Sequence, residues 1–325
     1  GQGVYTWIDY NNDNIKDLNE FEIAQYVDQA SYIRVFTPSN NYTKTYTNEV
    51  NQSIFWRPEK LWSKKTGVLQ LLSRFSNQTR WRINKKINSF DAKNLFNPFS
   101  SEISDLNLLS TSALLRNSIY FNRTSNRFNA EYTFQDSKNK TLLASGFDAR
   151  SNQMHELFCR WNIIPTLSLE IKGQSGLKTA LADYTSGRNY QINYTLLEPS
   201  IMLQPSTNYR FSIDARLGQK NNNPIYSIAN CNIKEIGGTF KYNQTDKGSF
   251  QGTLKYINMN YTGTLNGAVA YEMMESLRPG VNYTWNMSYQ RTLSKNLQLN
   301  LQYIGRKSEG IRPVHSGSME IRAYF

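Results

Sequence analysis

The chain's most regular feature is a period-two alternation of apolar and polar side chains. Val281, Tyr283, Trp285, Met287 and Tyr289 alternate with Asn282, Thr284, Asn286, Ser288 and Gln290. After a short turn at residues 292–295, Leu297, Leu299, Leu301 and Tyr303 alternate with Gln298, Asn300 and Gln302. The chain ends with Gly317, Met319, Ile321, Ala323 and Phe325 against Ser318, Glu320, Arg322 and Tyr324. Successive side chains of a strand point to opposite faces, so each run predicts a strand with one apolar and one polar side. Each run is about ten residues long, enough for a tilted strand to cross a bilayer's hydrocarbon.

The same rhythm runs upstream. Phe128, Ala130, Tyr132 and Phe134 form one apolar face, Leu157, Cys159, Trp161 and Ile163 another, and Leu167, Leu169 and Ile171 a third. Tyr190, Ile192, Tyr194 and Leu196 continue it, as do Tyr209, Phe211, Ile213, Ala215 and Leu217, and then Phe250, Leu254 and Tyr256. Turn chemistry at Asp136-Ser-Lys-Asn, Asn221-Asn-Asn-Pro, Asp246-Lys-Gly and Arg278-Pro-Gly divides the runs. Earlier, residues 32–36, 41–58 and 67–86 predict one short and two long strands with imperfect alternation. Residues 87–112 interrupt the pattern. A loop around Asn94 and a short helix within 102–115 are expected there, as an extracellular loop or a plug. The sum is about fourteen strands, within roughly twelve to sixteen, and bacterial barrels of this kind use even numbers.

The fold class expected is all-β, an antiparallel transmembrane β-barrel over residues 41–325, behind an N-terminal segment at 1–40. Alternation alone also fits a soluble sandwich. Long strands, the mixture of long loops and tight turns, and a final strand ending in an aromatic favour the barrel. Its apolar faces would meet lipid and its charged faces would line the lumen. The lumen-lining candidates are Arg160, Lys172, Arg210, Asp214, Arg216, Glu320 and Arg322, with Glu131, Glu170 and Lys241 on the same faces. The alternative is a secreted or surface β-sandwich that binds glycan or protein.

Composition adjusts this picture in few places. The mean hydropathy of −0.61 resembles that of a soluble protein, but half of every barrel strand is polar, so the value does not oppose a barrel. The net charge is +12. No zinc-finger, helix-turn-helix or RNA-recognition signature accompanies it, so no nucleic-acid partner is expected. A basic lumen or a surface facing anionic headgroups accounts for it, and a conducting pore would then prefer anions. Cys159 and Cys231 are read as unpaired thiols, with pairing in an oxidising compartment as the alternative. The strand-like opening at Val4 to Ile8, with no signal peptide before it, is read as the interior of a longer protein.

One motif carries candidate metal chemistry. Asp9, Asn11, Asp13, Asp17 and Glu20 occupy positions 1, 3, 5, 9 and 12 of a calcium loop, and the Ile15 carbonyl occupies position 7. A hard cation needs several oxygens converging from one short segment, which this spacing supplies. Asn14 stands where glycine is usual, and asparagine tolerates the positive φ required there. A helix is expected to follow from Glu20 to Tyr26. A structural Ca2+ is the expected cofactor, against a plain Asx-rich turn. No catalytic constellation is present. Phosphate loops, zinc spacing and a nucleophile elbow are missing, and parity sends both histidines, His155 and His315, to the apolar face. The protein is therefore expected to be non-enzymatic.

Several stretches resemble the C-terminal part of large outer-membrane proteins of Bacteroidetes. They are Gly1-Gln-Gly-Val-Tyr-Thr-Trp-Ile-Asp-Tyr-Asn-Asn-Asp, Leu18-Asn-Glu-Phe-Glu-Ile-Ala, Leu115-Arg-Asn-Ser-Ile-Tyr-Phe-Asn-Arg, Arg278-Pro-Gly-Val-Asn-Tyr-Thr-Trp-Asn and Gly305-Arg-Lys-Ser-Glu-Gly. The resemblance implies a bacterial outer-membrane location. Outer-membrane lipid and the barrel assembly machinery would be its partners, with other envelope proteins besides. The role implied is that of a pore, or of the membrane anchor of a larger envelope or export assembly.

Overall fold

The computed structural model describes residues 2–35, 42, 44–90, 107–143, 146–183, 186–245 and 247–324. Two short strands, β1 (Tyr5–Trp7) and β2 (Phe21–Ile23), pair with each other. Among the described residues the main sheet has 13 strands. They are β3 (Tyr46–Trp56), β4 (Phe75–Ile87), β5 (Leu108–Phe121), β6 (Phe128–Leu143), β7 (Gly146–Ile164), β8 (Leu167–Ala182), β9 (Tyr190–Leu203), β10 (Tyr209–Asn222), β11 (Asn230–Gln244), β12 (Gly248–Thr262), β13 (Gly280–Ser294), β14 (Leu297–Ser308) and β15 (Val314–Ala323). Helices α1 (Glu59–Trp62) and α2 (Val68–Ser73) join β3 to β4, and α3 (Ala268–Met274) lies between β12 and β13.

Every strand of the main sheet pairs antiparallel with its neighbours in sequence, a single meander from β3 to β15. The fold is therefore all-β and antiparallel, as the alternation predicts. The described strands form one continuous sheet and not the two facing sheets of a sandwich. Connections at one rim are tight turns, apart from α1 and α2, and β15 ends at that rim. Longer connections lie at the other, apart from the two-residue join between β6 and β7. Both β3 and β15 run toward the tight-turn rim, and among the described residues they do not pair. Edges that run the same way can be joined in antiparallel fashion only through an odd number of further strands.

Residues directly opposite across a ladder share a face. We call the face on which α3 packs the inner face. The outer face carries the long apolar side chains. Ile213 is 63% exposed and Leu254 60%, while inner-face Glu235 is 6% and Thr133 0%. This inverts the burial of a soluble sheet. Outer-face aromatics form two rows. Phe121, Phe128, Tyr209, Tyr242 and Phe250 lie toward the tight-turn rim. Tyr256, Tyr283, Trp285, Tyr303 and His315 lie toward the other. From Phe250 to Tyr256 and from Tyr289 to Tyr283 the rows are about 20 Å apart along the strand. Between them, among the described residues, the outer face carries no charge. His155 and His315 lie on this outer face, bonded through Nδ1 to the hydroxyls of Tyr132 and Tyr303 at 2.8 and 2.7 Å.

Several local expectations need correction. Residues 68–73, read as strand, form α2. Val68, Leu69, Leu71 and Leu72 recur at helical and not alternating spacing. Asp136-Ser-Lys-Asn is not a turn, because β6 runs through it. Asp136 and Lys138 form an ion pair at 3.1 Å on one face of the strand. The helix expected within 102–115 is strand from Leu108 onward, and residues 91–106 lie outside the described residues. The helix expected from Glu20 is instead a single 3-10 turn followed by β2. Residues 32–36 contribute only a bridge from Tyr32 to Tyr5, and Phe36 lies outside the described residues. Tyr190, Ile192, Tyr194 and Leu196 are buried on the inner face, while Leu197, Ile201 and Leu203 take the outer one.

The inner face holds the apolar core at the long-loop rim. Ile192, Cys231, Ile233, Ile257 and Met259 of the sheet pack against Val269, Ala270, Met273, Met274 and Leu277. Complete burial of such side chains stabilises by about 1.5–3 kcal/mol each. Cys159 and Cys231 are both free thiols, the first on the outer face and the second buried on the inner.

On the outer face the Trp285 indole lies across Gly305, so a Cβ there would overlap the ring. Gly305→Val is expected to displace the indole and cost about 1–3 kcal/mol. Tryptophan emission and denaturant unfolding measure the two effects.

Candidate functional site

Two places concentrate polar chemistry. The first is the acidic loop. Its turns are made by Asn12 and Asn14, at φ 60 and 59, as the glycine-like position requires. The Asp9 carboxylate accepts from the amides of Asp13 and Asn14, at 3.2 and 3.0 Å, and Asp13 accepts from that of Ile15 at 2.7 Å. Carboxylate oxygens of Asp9, Asp13 and Glu20 all lie within 4.8 Å of one another. Glu20 is fully buried, held by Trp7 Nε1 at 2.8 Å and the Tyr10 amide at 3.1 Å. The other predicted ligands are differently engaged. Asn11 accepts from the Asp13 amide and donates to its carboxylate. The Ile15 carbonyl accepts from the Asp17 amide. Asp17 is outside the carboxylate group. Three of the six predicted ligands thus converge, as hard anionic oxygens suited to a hard cation.

The second place is the inner face of the sheet. Several of its charges come as matched neighbours across the ladder, although Arg210 stands opposite Lys241 and Arg80 opposite Arg116. Arg160 donates to Glu170 at 2.7 Å, Lys172 pairs with Glu198 at 2.5 Å, and Lys255 pairs with Glu235 at 2.6 Å. Arg210 donates to Gln204, and the Asp214 carboxylate lies over Gly237. Glu320 and Arg322 pair at 2.9 Å near the β15 edge, both more than half exposed.

Arg216 is the centre of this surface. Its guanidinium meets Glu275 at 2.6 Å, Glu198 at 3.5 Å and Glu235 at 3.6 Å. Glu275 ends α3 in a left-handed conformation, φ 55, with Ser276 at φ 64. Lys220 binds both the Glu275 carboxylate, at 2.8 Å, and the Met273 carbonyl, at 2.9 Å. A cation at a helix C-terminus satisfies carbonyls that lack an intrahelical partner. Lys178 holds Glu272 of the same helix at 2.7 Å. Burial opposes ionisation of Glu275, but the Arg216 hydrogen bonds and the charges of Lys220 and Arg216 outweigh it, holding its pKa down to about 2.

The N-terminal segment closes over α3. The Tyr271 hydroxyl donates to the Ile23 carbonyl at 3.0 Å, and Ser276 donates to Gln29 at 2.9 Å. Arg306 clasps Asp28 with two bonds of 2.6 and 2.7 Å, which hold the Asp28 carboxyl below its usual range. Glu22 meets Arg188 at 2.9 Å and Arg150 at 3.8 Å. Burial still pushes its carboxyl above the ordinary value, because the two guanidiniums offset only part of the desolvation.

Sequence reasoning placed Arg160, Lys172, Arg210, Asp214, Arg216, Glu320 and Arg322 on one face, and the register agrees. It missed Glu272, Glu275, Lys178 and Lys220. Helical spacing of Val269, Ala270, Met273, Met274 and Leu277 was the available signal for the first two. No protein-family model matches this chain, and no curated protein matches it significantly.

Arg216→Ala is expected to leave Glu198, Glu235 and Glu275 with one lysine each, Lys172, Lys255 and Lys220, and to cost about 1.5–3 kcal/mol. Faster amide exchange across residues 263–279 measures it. A depressed carboxyl pKa adds stability that is complete above the unfolded value, near 4.5, and is lost as pH falls toward about 2. Protection of α3 is therefore expected to fall across that window, and Glu275→Gln to weaken it already at neutral pH.

Proposed function

We propose that this protein is a non-enzymatic β-barrel wall of the bacterial outer membrane that anchors a larger envelope or export assembly. One observation carries the reading: the sheet is inverted, with apolar side chains exposed on its outer face and ion pairs on its inner one. Lipid is the solvent that such an outer face suits, and the paired aromatic rows have the arrangement of interfacial girdles. The tight-turn rim would face the periplasm and the longer connections the exterior.

A bilayer does not tolerate unpaired strand edges. In this reading the edges of β3 and β15 are joined through an odd number of further strands. One is the simplest case, and it gives a wall of fourteen. The resemblance to large Bacteroidetes outer-membrane proteins fits the same role, with the barrel assembly machinery and neighbouring envelope proteins as partners.

Between a pore and an anchor, the inner face favours the anchor. Helix α3 and the segment carrying β1 and β2 are fixed to it by Arg216, Lys220, Lys178 and Arg306. In the acidic loop, Asp9, Asp13 and Glu20 would hold a structural Ca2+, which would relieve the mutual repulsion of three converging carboxylates.

Membrane fractions containing the protein are expected to release it only with detergent, and its folded band to shift on boiling in gel electrophoresis. A monodisperse, detergent-free monomer would overturn the membrane reading. Calcium at about a hundred times its Kd is expected to add about 2.7 kcal/mol to stability of the N-terminal segment. Chelator is expected to remove that increment, and Asp13→Asn to abolish the response in thermal unfolding.

A further inference from the structure

The connection between β3 and β4 stands apart from every other turn at its rim. It is long, partly helical and strongly amphipathic. Arg57, Lys60, Lys64, Lys65 and Arg74 face a single acid, Glu59. Among the described residues none of the five bases forms an ion pair. Its apolar side chains are exposed: Leu61 at 76%, Val68 at 72%, with Leu69, Leu71 and Leu72 also open. A solvated turn has no use for five such side chains, and none of the other described elements covers them.

Their position says what does. Trp62 of α1 stacks edge-on against Trp56, with ring centroids 6.3 Å apart. Trp56 shares the outer face with Ile54, so through Trp62 the apolar surface of α1 joins the outer apolar face of the sheet. Tryptophan, lysine and leucine together at that level are the composition of an interfacial membrane element.

Behind the helices, against the β5–β6 turn, lies a cavity of about 250 Å³. Arg74, Arg123, Ser73, Ser76 and Thr124 line it, with Glu59 at its border. The Ser76 hydroxyl is buried and has no hydrogen-bond partner. Two guanidiniums and a buried, unengaged hydroxyl suit a phosphate monoanion and its ester oxygens. Glu59 accepts from Thr124 at 3.4 Å and opposes a more highly charged guest.

We infer that the α1–α2 connection is a lipid-binding element that lies in the leaflet at the tight-turn rim and takes an anionic phospholipid headgroup between α2 and the β5–β6 turn. The inference rests on the membrane-barrel reading and specifies which lipid class that rim selects. Each basic side chain near an anionic surface strengthens attraction, and the phosphate cavity adds selectivity for a headgroup over diffuse charge.

The test is reconstitution of the whole protein into vesicles of phosphatidylcholine containing a minor fraction of phosphatidylglycerol. Flotation reports insertion, and lipid co-purified after mild detergent extraction reports selection. Wild type is expected to retain phosphatidylglycerol at least tenfold over its share of the vesicle. The variant Lys60→Glu/Lys64→Glu/Arg74→Gln is expected to float equally and lose that enrichment. Leu61→Ser/Val68→Ser is expected to float but to release the lipid faster. Inorganic phosphate at millimolar concentration is expected not to displace the lipid, because the apolar side chains contribute to holding it. Equal retention of both lipids by floated wild type would overturn the inference and leave the barrel standing. Unchanged enrichment in the charge variant would overturn it too, as would displacement by phosphate, which would mark a free-anion site. Failure of wild type to float would remove the barrel and the inference together.

Discussion

A strand sends alternate side chains to opposite faces, and this sheet spends its apolar set on the outside. Between the aromatic rows the charges must then be accommodated on the inner face, where each charge removed from water needs an opposite charge within reach. The ladder register supplies several of them: Arg160 opposite Glu170, Lys172 opposite Glu198, Arg216 opposite Glu235. The pairs are consequences of register and not of chance proximity. A one-residue slip in any strand would move its charges to the apolar side.

Arg216 shows how far this matching extends. Two of its carboxylate partners come from neighbouring strands, but the third, Glu275, arrives on a helix inserted between β12 and β13. The inner face therefore does more than neutralise itself. It presents excess cationic groups, Lys178, Lys220 and Arg306, that capture Glu272, Glu275 and Asp28 from segments outside the sheet. Apolar contacts from Met273 and Met274 to Ile233 and Met259 then exclude water around those pairs, which strengthens them.

The sheet was legible in the sequence because alternation is local. Most strands from Phe128 onward, the face of Arg210 through Arg216 and the outward histidines follow from residues two apart, whereas β11 and the passage of β6 through Asp136 were not read from it. What was not legible depended on contacts distant in the chain. Tyr190, Ile192, Tyr194 and Leu196 alternate as faithfully as Phe211 and Ile213, yet they face inward, because α3 comes to cover them. Glu20 to Ile23 has helix-forming residues, but β1 offers its backbone a ladder and Arg188 offers Glu22 a partner. In the acidic loop, spacing identified the residues that converge but could not foresee that Asn11 and Ile15 would spend their oxygens on backbone amides.

The clasp between Asp28 and Arg306 joins residues 278 apart in sequence. The meander, by contrast, joins each strand only to the next. Such a sheet can assemble hairpin by hairpin, closing small loops in turn, whereas the clasp must wait until nearly the whole chain is in place. The N-terminal segment is thus seated last and its contacts are absent while the wall forms. Interactions made that late leave the rate of folding alone and act on the rate of unfolding. The segment nearest the chain's beginning would serve as a latch, governing how long the finished structure lasts and not how quickly it is built.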